Sequence, residues 1–358
     1  MTAALGLARR GLGDVWPNPA VGCIIVRDGR VVGRGWTQPG GRPHAEPEAL
    51  ARAGDAARGG TAYVTLEPCA HHGKTPPCVE SLLAAGIARV VAAAVDPDAR
   101  VAGKGLDRLR EAGVEVSVGL LGKEAAELNA GFFQRTLVGR PLVTLKTATT
   151  LDGRIATHAG ESRWITGDGA RQAAHRLRAE SDAIMVGVGT AVADDPELTC
   201  RLPGLTARSP VRLVVDGHLR LPLTSRLVAA ARQIPTWLLT LADADPLRRE
   251  AFQSCGVELI DVTADHDGNP DLEMALRRLG ERGLTRVLVE GGSHLAASLL
   301  RRDLVDRLAW FRAPRMFGGD GLPTAMPFGV NRLSDAPTFV RTSVRETASD
   351  LMETYRRA

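Results

Sequence analysis

Aromatic side chains are scarce in this chain, 4% of 358 residues. A platform for single-stranded nucleic acid needs such rings in series, so that class of partner is disfavoured. Cysteine is also sparse. There are five, an odd number, without the spacing of a disulfide framework. The expected setting is the cytoplasm, where thiols stay reduced and clustered cysteines point to a metal or to catalysis. Long apolar runs are missing: no uncharged stretch approaches membrane-spanning length. The opening MTAALGLARRGLGDVW places its arginines after its apolar run, the reverse of a secretory signal. Charge of one sign is missing too. A net +4 spread over this length is no basic stripe, and it suits an anionic small molecule at least as well as a polyanion. Neither a membrane nor a nucleic acid is therefore expected as partner.

What is present is an ordinary soluble balance, 44% hydrophobic and 24% charged, in a chain long enough for two cores. VGCIIVRDGRVVGRGW reads as a hairpin turning at Asp28-Gly29. A helix over 44–54, the strand TAYVTLEP, the helix CVESLLAAG, the strand RVVAAAVDP, the helix GLDRLREAG and the strand VEVSVGL follow. This alternation implies a largely parallel sheet with helices on its faces and an antiparallel edge. The pattern breaks near LVGRPL, which places a boundary between domains 1–139 and 140–358. A second α/β series fills the remainder.

The chemistry concentrates in PHAE and TLEPCAHHGKTPPC. His44, Cys69 and Cys78 are soft or borderline donors at helix starts or in a proline-stiffened loop, which suits zinc. Three protein ligands leave a position for a water whose pKa zinc lowers to about 7. Glu46, two residues past the histidine, is placed to carry a proton without joining the metal. The pattern H-x-E then P-C-x-x-C marks zinc deaminases; here eight residues separate the cysteines, in a loop carrying His71, His72 and Lys74. Other readings are a closed structural zinc site, with His71 or His72 as fourth ligand, and two core cysteines without metal. In the second half, GVGTAV matches a dinucleotide fingerprint only weakly, because Val192 replaces its third glycine. By itself it reads as a glycine-rich loop. VEGGSHLAASLL reads equally well as a phosphate site at a helix start and as an ordinary strand-to-helix turn.

WPNPAVGCIIV, PHAE, TLEPCAHHGKTPPC, VDPD and VAGKG, followed by LKTATTLDGRIA, GESRWITG, LRAESDAIMVGVGT, ADDPELTCR and VEGG, resemble the bifunctional riboflavin-biosynthesis deaminase–reductases over nearly the whole chain. The resemblance implies a cytidine-deaminase-like three-layer α/β/α domain and a dihydrofolate-reductase-like α/β domain. It implies hydrolytic deamination of a diaminopyrimidinone ribosylamine 5′-phosphate, then reduction of the ribosyl group to ribityl. The cofactors would be one Zn²⁺ per chain and NADPH, and the assembly a homo-oligomer. By resemblance His44, Cys69 and Cys78 hold zinc, Glu46 carries the proton, Asn18 contacts the pyrimidine, and His71, His72 and Lys74 the sugar phosphate. Ala148, Trp164, Thr190, Asp194, Gly291, Gly292, Ser293, His294, Leu295, Ala296, Ala297 and Ser298 would line the NADPH site. Ser162, Arg178, Arg201 and Glu290 would hold the phosphosugar. Without the resemblance, Arg178 reads as a solvated charge and Trp164 as core. For the general acid of the reduction, Lys146, Asp152 and a bound water stay open. A nucleic-acid deaminase with an RNA-binding second domain and a non-catalytic zinc-stabilised module are the competing functions.

Overall fold

A computed structural model describes residues 1–73, 76–99 and 101–358. The chain divides into two compact units, Met1–Gly139 and Arg140–Ala358.

In the first unit, α1 (Thr2–Ala8) precedes the hairpin β1 (Gly22–Arg27) and β2 (Arg30–Trp36). Asp28 and Gly29 have φ of 50° and 72°, the two left-handed residues that a tight hairpin turn requires. Then come α2 (Ala45–Ala53), β3 (Thr61–Val64), α3 (Cys78–Ala84), β4 (Arg89–Ala92), α4 (Lys104–Glu111), β5 (Glu115–Val118), α5 (Gly122–Leu128) and α6 (Ala130–Val138). The strand order is β2-β1-β3-β4-β5. The hairpin forms the antiparallel edge, while β3, β4 and β5 run parallel. The helices α5 and α6 are additions that the periodicity did not reveal.

α2 lies directly on β2. A Cβ at Gly33 would stand 2.3 Å from the Ala49 carbonyl oxygen, and one at Gly35 would stand 2.1 Å from that of Ala45. Only glycine permits so close an approach of helix to strand. The buried residues of α2 are Ala45, Glu46 and Ala49, so one carboxylate goes into the core with two small apolar side chains. His44 caps the helix in extended conformation and Gly54 ends it.

The second unit carries β6 (Leu142–Thr149), β7 (Arg154–Ala156), α7 (Asp168–Ala179), β8 (Ala183–Gly187), α8 (Val188–Asp194), β9 (Val211–Val215), α9 (Arg226–Ala229), β10 (Thr236–Leu241), α10 (Pro246–Ser254), β11 (Glu258–Val262), α11 (Leu272–Glu281), β12 (Arg286–Glu290), α12 (Ser293–Arg301), β13 (Arg307–Arg312), β14 (Leu322–Pro323), β15 (Phe339–Thr347) and β16 (Asp350–Arg357). Nine strands form one sheet, β11-β10-β9-β8-β12-β6-β13-β16-β15. It is parallel from β11 to β13, and β16 and β15 close it as an antiparallel hairpin. Where GVGTAV reads alone as a glycine-rich loop, α8 starts at Val188. Val188 and Ala191 join the core with Ile184, Val214 and Leu238, and that burial favours the helix.

Candidate active sites

At the first site, α2 and α3 bring their N-terminal ends to the segment that follows β3. His44 Nδ1 lies 3.3 Å from Cys78 Sγ and 3.7 Å from Cys69 Sγ. The three ligand atoms are all within 4.8 Å of one another. Donors tetrahedrally disposed around zinc at its usual bond lengths stand about 3.3–3.8 Å apart, so the two sulfurs and the imidazole nitrogen fit that ion. Among the described residues, neither His71 nor His72 joins this cluster, which disfavours a closed four-ligand site. Lys74 lies outside the described residues.

At the start of α3 the Cys78 backbone N–H donates to Cys69 Sγ at 3.3 Å. The hydrogen bond from the Cys78 thiol lowers the Cys69 thiol to about 4, against burial, and the same bond with burial pushes the Cys78 thiol up. His44 is raised, chiefly by its hydrogen bond with Cys69. Glu46 is 3% exposed. Burial raises it, the neighbouring His44 opposes this and Cys69 adds to it, leaving the carboxyl at about 7. A group titrating there can both take and give a proton near neutral pH.

Two buried acidic residues, Glu67 and Asp96, lie within the TLEPC and VDPD stretches, where spacing alone assigns them no role. Glu67, buried, accepts from the backbone N–H groups of Gly105 (2.9 Å), Gly103 (2.9 Å), Asp96 (3.2 Å) and Leu106 (3.3 Å). It thereby ties Asp96, Gly103, Gly105 and Leu106 to the segment that leads into Pro68 and Cys69. Asp96 is raised to about 6 by burial and accepts from the Asp98 N–H at 2.8 Å. Asn18 donates Nδ2–H to the Gly41 carbonyl at 2.8 Å, just before the segment leading to His44. His71 Nδ1 is buried with no hydrogen-bond partner among the described residues.

The second site is a cavity of about 1200 Å³ inside the Arg140–Ala358 unit. It opens where β6, β8, β9 and β12 end, the side on which parallel α/β sheets bind ligands. Ala148, Ser162, Trp164, Thr190, Asp194, Arg178, Arg201 and Glu290 line it, as do residues 291–296 and 298. Ala297 is the exception: it is buried in the interior and does not reach the wall. Trp164 is 60% exposed, not core as it reads alone, and the Arg171 guanidinium stacks on it at 4.7 Å. Gly291 and Gly292 have φ of 106° and 89°, and a Cβ on Gly292 would come 3.1 Å from Thr190 Oγ1. The start of α12 therefore sits against α8.

Arg178 is no solvated charge. Its Nε and Nη2 donate to Glu290 at 2.7 and 2.9 Å, and its Nη1 donates to the Thr199 carbonyl at 2.9 Å. Lys146 Nζ stands 3.6 Å from Glu290. Burial pushes the Glu290 carboxyl up, but Arg178 and Lys146 outweigh it and hold it at about 2. Arg201 is exposed, with Glu197 at 3.5 Å. Asp152 accepts from Thr150 Oγ1 at 2.5 Å and from the Gly318 N–H at 2.8 Å. It locks a turn and is absent from the described cavity wall, whereas Lys146 lines it.

A buried glutamate two residues past the histidine of a histidine–two-cysteine cluster defines the zinc deaminase class. Residues 1–94 match the family "Cytidine and deoxycytidylate deaminase zinc-binding region", and residues 141–351 match "RibD C-terminal domain". The chain is 42% identical to the "Riboflavin biosynthesis protein RibD" of Escherichia coli, over 98% of this chain and 96% of that one. It is 39% identical to that of Aquifex aeolicus, over 100% and 97%. A Thermotoga maritima structure described as a "diaminohydroxyphosphoribosylaminopyrimidine deaminase/ 5-amino-6-(5-phosphoribosylamino)uracil reductase" superposes with a TM-score of 0.87 at 36% identity, covering 100% of this chain and 97% of that one. The chain belongs to the RibD family of riboflavin biosynthesis, bifunctional enzymes with a zinc-binding deaminase domain and a reductase domain. Family membership favours neither the nucleic-acid deaminase nor the non-catalytic module.

Proposed function

We propose that residues 1–139 deaminate a 2,5-diamino-6-ribosylamino-4(3H)-pyrimidinone 5′-phosphate and that residues 140–358 reduce the ribosyl group of the product with NADPH. The observation that carries the first half is Glu46, buried and titrating at about 7 beside the donor cluster. His44 Nδ1 and the sulfurs of Cys69 and Cys78 hold zinc. When bound, zinc supplies a Lewis acid that makes water a nucleophile at neutral pH. The Glu46 carboxylate takes the proton of the attacking water and delivers it to the departing amine, which leaves as ammonia. Asn18, fixed by Gly41, faces the pyrimidine, and His71 and His72 receive the phosphate together with Lys74, which lies outside the described residues.

In the second domain NADPH, when bound, supplies the hydride. The start of α12 with Gly291 and Gly292, together with Ala148, Trp164, Thr190 and Asp194, holds the cofactor. Ser162, Arg201 and the Lys146–Glu290–Arg178 network hold the phosphosugar, with Arg201 the more available guanidinium. Lys146, on the wall, is favoured over Asp152 as proton donor. Among the described residues no helix is long and apolar enough to cross a membrane. The family resemblance supports a cytoplasmic homo-oligomer acting on small molecules and not on nucleic acid.

The test follows ammonia release and NADPH absorbance together on the diaminopyrimidine substrate. Ammonia first and NADPH oxidation second is the expected order. NADPH oxidation without ammonia would overturn the assignment of the first domain.

A further inference from the structure

The α7 helix places His175 one turn before Arg178, and both side chains reach the irregular segment that follows α8. The Arg201 N–H donates to His175 Nδ1 at 3.2 Å. Cys200 Sγ–H donates to the His175 carbonyl at 3.5 Å, and Arg178 Nη1 donates to the Thr199 carbonyl. Residues 199–201 have no helix or strand of their own, so these ties fix their course. Arg201 lines the cavity; His175 stands behind it, outside the wall.

Resting on the reductase reading, we propose that His175 is a positioning residue for Arg201: its neutral imidazole holds the backbone that aims this guanidinium at the phosphate of the reductase substrate. The choice of Arg201 follows from what its neighbour already does. Arg178 has Nε, Nη1 and Nη2 committed to Glu290 and Thr199. Arg201 has an exposed carboxylate neighbour, Glu197 at 3.5 Å, a contact that solvent weakens and that a dianionic phosphate can displace. A guanidinium recognises phosphate through a planar fork, so the direction in which it is presented decides affinity. Nδ1 can accept the Arg201 N–H only while it is unprotonated. Burial first, then Arg178 and Arg201, hold the imidazole at about 4 against the pull of Glu290, so the acceptor persists at neutral pH.

The experiment compares full-length His175→Asn, His175→Gln and His175→Ala with wild type. Reductase kinetics are measured on the deaminated substrate with and without its 5′-phosphate, and NADPH Kd by nicotinamide fluorescence. Asn carries an oxygen close to the place of Nδ1, whereas Gln carries its own one carbon further out. The Ala and Gln variants should raise KM for the phosphorylated substrate about tenfold with kcat nearly unchanged, the signature of lost uniform binding. Asn should restore KM to near the wild-type value. NADPH Kd and the KM of the dephosphorylated substrate should not move. A wild-type KM in the Gln variant would overturn the proposal, as would an Asn variant no better than Gln or a parallel loss of NADPH affinity. Should the Ala variant fail to fold, the Asn and Gln pair carries the same decision. Wild-type protein that oxidises no NADPH would instead overturn the reductase reading itself.

Discussion

The two sites solve opposite problems. The first is a tight cluster with donor atoms within 4.8 Å, set at two helix starts and backed by a buried carboxyl. The second is a space of about 1200 Å³ at the open ends of four parallel strands, with its charges on the walls. A proton-transfer site gains from burial, because desolvation moves Glu46 into the working range. A site that must admit a dinucleotide and a phosphosugar together needs room, and keeps its ion pairs as structure. Glu290 illustrates the difference. Its side chain is only 8% exposed on the cavity wall, yet Arg178 and Lys146 hold it far below neutral. The same side chain becomes a proton carrier in one place and a fixed anchor in the other.

The largest effect should separate the sites completely. Removing zinc with a chelator is expected to abolish ammonia release while NADPH oxidation on pre-deaminated substrate continues; metal analysis and the two assays check it. Glu46→Gln should keep zinc at wild-type stoichiometry and lower ammonia release by about 10²–10⁴-fold, the usual worth of a general acid–base. Equal loss of both activities in either experiment would erase the distinction drawn here. Arg178→Ala leaves Glu290 buried and without its strongest partner, an expected loss of about 3–5 kcal/mol in denaturant unfolding of the second domain, with zinc binding unaffected.

The pH dependence sharpens the same contrast. The Glu290 carboxyl sits lower in the folded protein, about 2, than its ordinary 4.5. Its contribution to stability is therefore complete above about 4.5 and disappears as pH falls toward about 2. His175, held at about 4 against an ordinary 6.5, has its charged form disfavoured by folding. Its contribution is present above about 6.5 and is lost as pH falls through about 4. Thermal melts from pH 3 to 7 should show wild type losing stability on acidification more steeply than Glu290→Gln. The smallest effect is a control. Asp271→Ala removes the side-chain cap that accepts from Glu273 and Met274, at a cost of about 1 kcal/mol, and should leave both activities intact.

The deaminase half was legible because its chemistry is local. His44 and Glu46 are two residues apart, Cys69 and Cys78 share one loop, and donor type with spacing identifies the ion. The role of Glu67 was not legible: its partners are the backbone amides of Asp96, Gly103, Gly105 and Leu106, which carry no side-chain signature. Arg178 and Glu290 are 112 residues apart in sequence, and only the folded sheet brings them to one wall; taken alone, Arg178 reads as a surface charge. Ala297 lies on the buried side of α12, since a helix presents only part of its run to any surface. α8 was missed because its helix depends on tertiary burial of Val188 and Ala191, not on local propensity.

The two bare glycines beneath α2 have a mechanical consequence. With no spacer between helix backbone and strand, the helix cannot ride up or slide without breaking the edge hairpin. Glu46 thus inherits the stiffness of the sheet. Gly35→Ala, remote from the donor atoms in chemistry, would act like a shim under a clamped part and tilt the proton carrier off its line to the donors.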